Sequence, residues 1–259
     1  MKKLLNPKYL PLLTLGFSGI GIALCIWFLN AGIDEKGFLE SWHIANILLW
    51  LLTAVTVAIL FLHTRPLKGQ GRYTENFPAS VPAAIGCWAA AAGIMITALG
   101  DLISRPDFLC ILADILGLLS FPALLLAGYC RLKGQRSSFL CYVVVCFHFT
   151  LRLMCQYRQW SSDPILQDYC FQLLAGVGLM LWSYHRAAFD VNLGKRPSCA
   201  FTGLITVFFC CVALPATEQK LFFLTTAAWI LTNQCSLDFH GKFETHSEPA
   251  TDPDAPNRV

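Results

Sequence analysis

The sequence predicts an all-α, polytopic integral membrane protein, a bundle of about eight transmembrane helices with short loops. Three observations carry that expectation. Only 14% of the 259 residues are charged, 56% are apolar, and the mean hydropathy is +0.55; a soluble domain usually carries about 25% charged residues. The apolar residues form long runs, each sufficient to cross a hydrocarbon layer about 30 Å thick. Lysines and arginines gather in alternate loops, as the topology of a multi-pass protein requires.

The elements follow in chain order. Met1–Tyr9 is basic, with Lys2, Lys3 and Lys8. Span one covers about residues 10–31; its apolar run continues past the length of a secretory signal with no small-residue cleavage site, so it is expected to remain as a span. Gly16, Gly19 and Gly21 offer a surface for close helix approach. An acidic loop follows, with Asp34, Glu35 and Glu40, then span two at about 42–63. Thr64–Ser80 is the longest internal loop, basic through Arg65, Lys68 and Arg72.

Span three is expected at 81–104, with a small-residue stretch at Trp88–Gly93, and span four at 108–130. Pro122 interrupts span four and frees the carbonyl of Leu118. A basic turn (Arg131, Lys133, Arg136) leads to span five at 139–157, and the Gln159–Asp168 loop to span six at 169–185. Another basic loop (Arg186, Lys195, Arg196) precedes span seven at 199–216; a short turn precedes span eight at 221–237, which ends in the polar Thr232-Asn233-Gln234. Residues 238–259 are polar, acidic and proline-containing, the composition of a disordered tail. The matching tetrapeptides Ala45-Asn46-Ile47-Leu48 and Ala113-Asp114-Ile115-Leu116, each followed by a basic turn, are consistent with a duplicated helical hairpin and equally with chance among leucine-rich helices.

The basic segments all fall on one side of this topology, and only Lys36, Arg105, Arg158, Lys220 and the outer end of span five carry cations on the other. The positive-inside rule therefore places both termini in the cytoplasm of a cell-membrane protein. Several of the twelve cysteines, Cys25, Cys87, Cys141, Cys146, Cys210 and Cys211 among them, lie inside apolar runs, where a thiol behaves as a small hydrophobe. No CxxC or Cys/His spacing suggests zinc. Cys155 and Cys170, at facing ends of consecutive spans, read as two free thiols.

The residues that carry chemistry are the polar ones inside apolar runs. Arg152 cannot shed its proton, so in hydrocarbon it requires a carboxylate or water. Asp114 and Asp101 are its expected partners, and His148 sits one turn away on the same face as Arg152 and Gln156. Helical phase gives three further stripes: Asp107, Cys110, Asp114, Gly117 and Phe121 on span four; Asp168, Gln172, Ala175, Leu179 and Ser183 on span six; His43, Asn46, Trp50 and Thr53 on span two. If all four face inward, they line a polar vestibule open to the outside. Two readings of the charges stand: a structural ion pair locking spans three to five, or a ligand or proton pathway with His148 as relay.

No nucleophile elbow, phosphate loop or zinc-protease motif supports catalysis. No cofactor is expected: His43, His63, His148 and His185 are read as interface or packing residues rather than haem ligands, and Trp42, Trp160 and Trp182 as interface anchors. The functional expectation is a transporter or permease for a small polar solute or ion; the alternative is a non-catalytic sensor or accessory subunit. Expected partners are the lipid bilayer, that solute, and a second copy or a membrane-complex subunit. No basic, aromatic-interleaved surface suggests nucleic acid.

Overall fold

A computed structural model of the protein describes residues 9–32, 43–67, 73–104, 107–161 and 169–237. Asp168, most of the acidic loop after span one, Trp42 and the tail 238–259 lie outside the described residues. Every regular element described is helical: α1 (Leu10–Ala31), α2 (Ile44–Thr64), the one-turn α3 (Tyr73–Asn76), α4 (Val81–Ser104), α5 (Phe108–Lys133), α6 (Phe139–Trp160), α7 (Cys170–Asp190), α8 (Arg196–Ala213) and α9 (Lys220–Cys235). The fold is a helical membrane bundle: α1, α2, α4, α5, α6 and α8 are each long and apolar enough to cross a membrane. α7 is less apolar and α9 has only 16 residues; both turn their polar side chains inward.

Local signals set the ends of the helices. Pro11 and Pro197 stand in the first turns of α1 and α8, where a missing N–H costs nothing. His43 caps α2, its Nδ1 accepting from the Ala45 N–H at 3.3 Å. Gly134 ends α5 in the left-handed conformation, φ +67°, with its N–H returned to the Arg131 carbonyl. Threonines inside the spans lose no hydrogen bond to the bilayer: Thr53, Thr56 and Thr64 each donate to a carbonyl four residues back at 2.8 Å.

The helices α4 to α9 form a ring in which each packs on its neighbours in sequence, and α9 closes it by packing on α4. Large side chains fill the ring: Phe149, Phe222, Tyr142, Trp182 and Trp229 are all buried. α1 and α2 lie outside, against α8. Closure depends on small residues in register. Gly86 and Gly93 on α4, seven apart, face Thr232 and Thr225 on α9, also seven apart, and a Cβ at either glycine would collide with its threonine.

Several expectations change. Only Gly21 of the three glycines in α1 meets a neighbour, Val212; Gly16 and Gly19 face open space. Trp182 is no interface anchor but packs edge-on to Trp229 at 4.7 Å inside the ring. The polar end of α9 is explained by burial: the Asn233 amide donates to the Trp229 carbonyl at 2.9 Å, and the Gln234 amide to the Cys199 carbonyl at 2.9 Å. Arg131 and Arg186, read as loop cations, are completely buried within α5 and α7.

Candidate functional site

One end of the ring collects Asp101 of α4, Asp114 of α5 and His148 and Arg152 of α6. α6 presents His148, Arg152 and Gln156 on a single buried face, one turn apart. The guanidinium of Arg152 meets Asp101 of α4, Nη2 to Oδ2 at 3.2 Å, with the side chains 7% and 19% exposed. Gln219, immediately before α9, closes a triangle. Its Oε1 accepts from Arg152 Nη2, and its Nε2 donates to the Asp101 carboxylate at 3.2 Å. Gln219 is itself held through its backbone N–H on the Thr217 hydroxyl at 3.2 Å. The Phe222 ring lies 4.4 Å under the guanidinium carbon. Charge, hydrogen bonds and a π-face thus meet on one cation, which makes its burial tolerable.

Asp114 of α5 is buried beside this triangle. With Asp101, Arg152, Gln156 and Gln219 it lines a small chamber of about 20 Å³, room for about one water molecule. Cys110 and Cys155 supply its apolar wall. Gln156 and Gln219 also belong to a larger cavity, about 270 Å³, whose other walls include Trp160, Tyr169, Gln172 and Glu218. Trp160 and Tyr169 stack there at 4.4 Å, and the Gln172 amide donates to the Ala216 carbonyl at 3.2 Å. The two glutamines stand in the wall that a polar vestibule and a charged chamber share.

His148 lies one turn deeper, fully buried. Its Nδ1 is 2.9 Å from the Ala113 carbonyl, an acceptor only, so that nitrogen carries hydrogen and the neutral ring leaves Nε2 bare. Nε2 has no hydrogen-bond partner among the described residues. The ring fits because position 117 is glycine; a Cβ there would stand 2.9 Å from His148 Cε1.

The site therefore gathers Asp101, Asp114, Arg152 and Gln172 around two adjacent cavities that share Gln156 and Gln219, with His148 beneath them. It does not include the α2 stripe. His43 caps its own helix and packs edge-on to Trp27 at 5.9 Å. Asn46 lines a third, mostly apolar cavity of about 30 Å³ with Leu49, Trp50 and Phe171; Gln172 and Ala216 wall both that cavity and the vestibule. α2 sits outside the ring, so its polar face cannot reach α5 or α6. Asp168 lies outside the described residues. Gln219 was missed by sequence reasoning because it stands in a turn; the available signal was an uncharged polar residue at the mouth of a helix on the same side as Arg152.

Cys155 and Cys170 are both free thiols. Among the described residues, no three His, Cys, Asp or Glu side chains converge to hold a metal ion. Comparison with protein-family models, with curated proteins and with solved structures found no match.

Proposed function

We propose that the protein binds a small polar solute or ion at the Arg152 end and passes it across the membrane. The observation that supports this reading most is a pair of adjacent cavities that share Gln156 and Gln219 as walls, a polar vestibule of about 270 Å³ and a charged chamber of about 20 Å³. The vestibule is close in size to the smallest ligand sites, about 300 Å³, and polar enough to hold a hydrogen-bonding solute. The chamber admits only water or an ion. Two carboxylates, Asp101 and Asp114, face one guanidinium there, which favours a cation or proton over an anion. His148 serves as the relay below it. The vestibule faces the cell exterior, because the lysine- and arginine-rich segments flank the opposite end.

A second reading has its own support. Tyr142, Phe149, Trp182 and Trp229 pack the ring beyond His148 with at most 1% exposure. That filling suits a receptor or accessory subunit that binds without translocating. The test is reconstitution into liposomes with a panel of labelled amino acids, sugars and monovalent cations, and an interior pH dye. Uptake or proton flux that is lost in Asp114→Asn, with the variant still folded, supports transport. Wild-type uptake in that variant removes the transport reading, and saturable binding without flux favours the second.

A further inference from the structure

The opposite end of the bundle holds a second cluster that the vestibule does not use. Arg131 of α5 and Arg186 of α7 are both completely buried. They share one aromatic ring: Phe77 lies 5.0 Å from the Arg131 guanidinium carbon and 4.0 Å from that of Arg186. Tyr73 and Tyr142 complete a cage around Arg186, at 4.9 and 4.8 Å.

The charges do not balance. Among the described residues, the one ion pair at this cluster joins Arg186 to Asp190 at 3.5 Å, and Asp190 also accepts from Ser137 at 3.1 Å. Among the described residues Arg131 reaches neutral acceptors: the Pro78 carbonyl at 3.1 Å, the Ser236 hydroxyl and the Tyr73 hydroxyl. Among the described residues two permanent cations thus share one carboxylate out of water, an arrangement that costs free energy until an anion joins it.

The hydrogen-bond inventory points the same way. Arg186 Nε and Nη2, Arg131 Nε and the Tyr142 hydroxyl are buried and have no hydrogen-bond partner among the described residues; the Tyr73 hydroxyl accepts from Arg131 and still has its own hydrogen to donate. Every one of these groups can donate, and the guanidinium nitrogens can do nothing else. The rings meet the guanidinium through its flat faces and accept no N–H bond at its edges, so cation–π contact does not satisfy them. Water could accept some of these bonds but brings no charge. What the cluster lacks is an oxyanion with several acceptor atoms, the geometry that guanidinium forks bind best.

The cover over the pair is slight. Tyr73 and Phe77 come from the one-turn α3 and the residue after it. This segment is tied down by the Tyr73 N–H on Asn192 Oδ1 at 3.3 Å, by Arg196 on Asn76, and by Arg131 itself through Pro78. We propose that Arg131 and Arg186, with the hydroxyls of Tyr73 and Tyr142, form a phosphate-binding site at this end of the bundle, closed by the Tyr73–Phe77 segment. The phosphate comes from an anionic lipid headgroup or free from solution; Lys133, Arg136, Lys195 and Arg196 around the same end draw either one in.

The test uses the full-length protein in a neutral detergent. Inorganic phosphate is titrated while the melting temperature is followed, and native mass spectrometry measures retention of added phosphatidylglycerol against phosphatidylcholine. A phosphate-dependent rise in Tm with no lipid preference identifies the free anion; selective retention of phosphatidylglycerol identifies the headgroup. Arg131→Gln abolishes either effect. Tyr73→Phe and Tyr142→Phe keep the rings and the cage, so they fold even where Arg131→Gln does not, and each weakens binding about threefold to tenfold, the equivalent of one hydrogen bond. No phosphate response and no lipid preference in the wild type overturns the proposal. So does unchanged affinity in both tyrosine variants.

Discussion

Replacing Asp101 by alanine isolates the interaction that lets α6 carry an arginine through the bundle. Arg152 keeps its charge and its burial but loses the carboxylate at 3.2 Å. Breaking a buried pair by removing one partner costs about 3–5 kcal/mol, because an uncompensated charge stays behind. Here the lower end applies, about 3 kcal/mol: Asp101 is 19% exposed, and the Gln219 oxygen continues to accept from the guanidinium. Asp107→Ala is the internal control. Asp107 pairs with Arg158 at 3.4 Å, but those side chains are 43% and 68% exposed. Its loss costs under about 1 kcal/mol. Denaturant unfolding in mixed micelles measures both, and Arg152→Gln completes a double-mutant cycle with Asp101→Ala. The expected coupling is on the order of 1–3 kcal/mol. If Asp101→Ala costs no more than Asp107→Ala, Arg152 is solvated by some other route and the ion-pair account is wrong.

Three further outcomes follow from the same geometry. Gly93→Val drives a side chain into Thr225 and opens the α4–α9 seam, destabilising by about 1–3 kcal/mol, whereas Gly19→Val on the open face of α1 stays within about 0.5 kcal/mol in the same unfolding assay. Gln219→Leu removes two hydrogen bonds from the triangle at about 1 kcal/mol each, and should also reduce solute binding, since Gln219 walls both cavities. Gly117→Ala sets a Cβ 2.9 Å from both Ala98 Cβ and His148 Cε1, so it destabilises the α4–α5 contact by about 1–3 kcal/mol and shifts the His148 imidazole resonances; unchanged resonances would mean the ring is not held against the Ala113 carbonyl.

Much of the helical layout was legible in the sequence, since hydropathy and turn residues bear directly on where spans begin and end. α1 and α4 match the expected limits, α5 and α6 begin where expected and run three residues longer, and the remaining helices are offset by one to five residues at their ends. Helical phase was equally informative: the inward faces of α5, α6 and α7 are those that Asp114, Arg152 and Gln172 marked. What phase cannot supply is neighbourhood. The polar face of α2 looked like those of α5 and α6, yet α2 packs outside the ring. The closure of α9 on α4 rests on glycines opposite threonines far apart in sequence, a match that no single helix displays. Counting arginines by side also hides their depth. Arg131 and Arg186 read as loop cations at the ends of apolar runs, and only the rings of Phe77, Tyr73 and Tyr142 show why they are buried.

A solute pathway at the Arg152 end requires that water and small solutes reach Gln156, in the wall shared by vestibule and chamber, from outside. Gln156→Cys, expressed in intact cells and exposed to a membrane-impermeant methanethiosulfonate, measures that directly, with peptide-level mass spectrometry reading the buried Cys199 and Cys210 as internal references. Modification at position 156 well ahead of both references, in unbroken cells, is the predicted result. Modification only after the membrane is permeabilised, or at no more than the rate of Cys199, would contradict it.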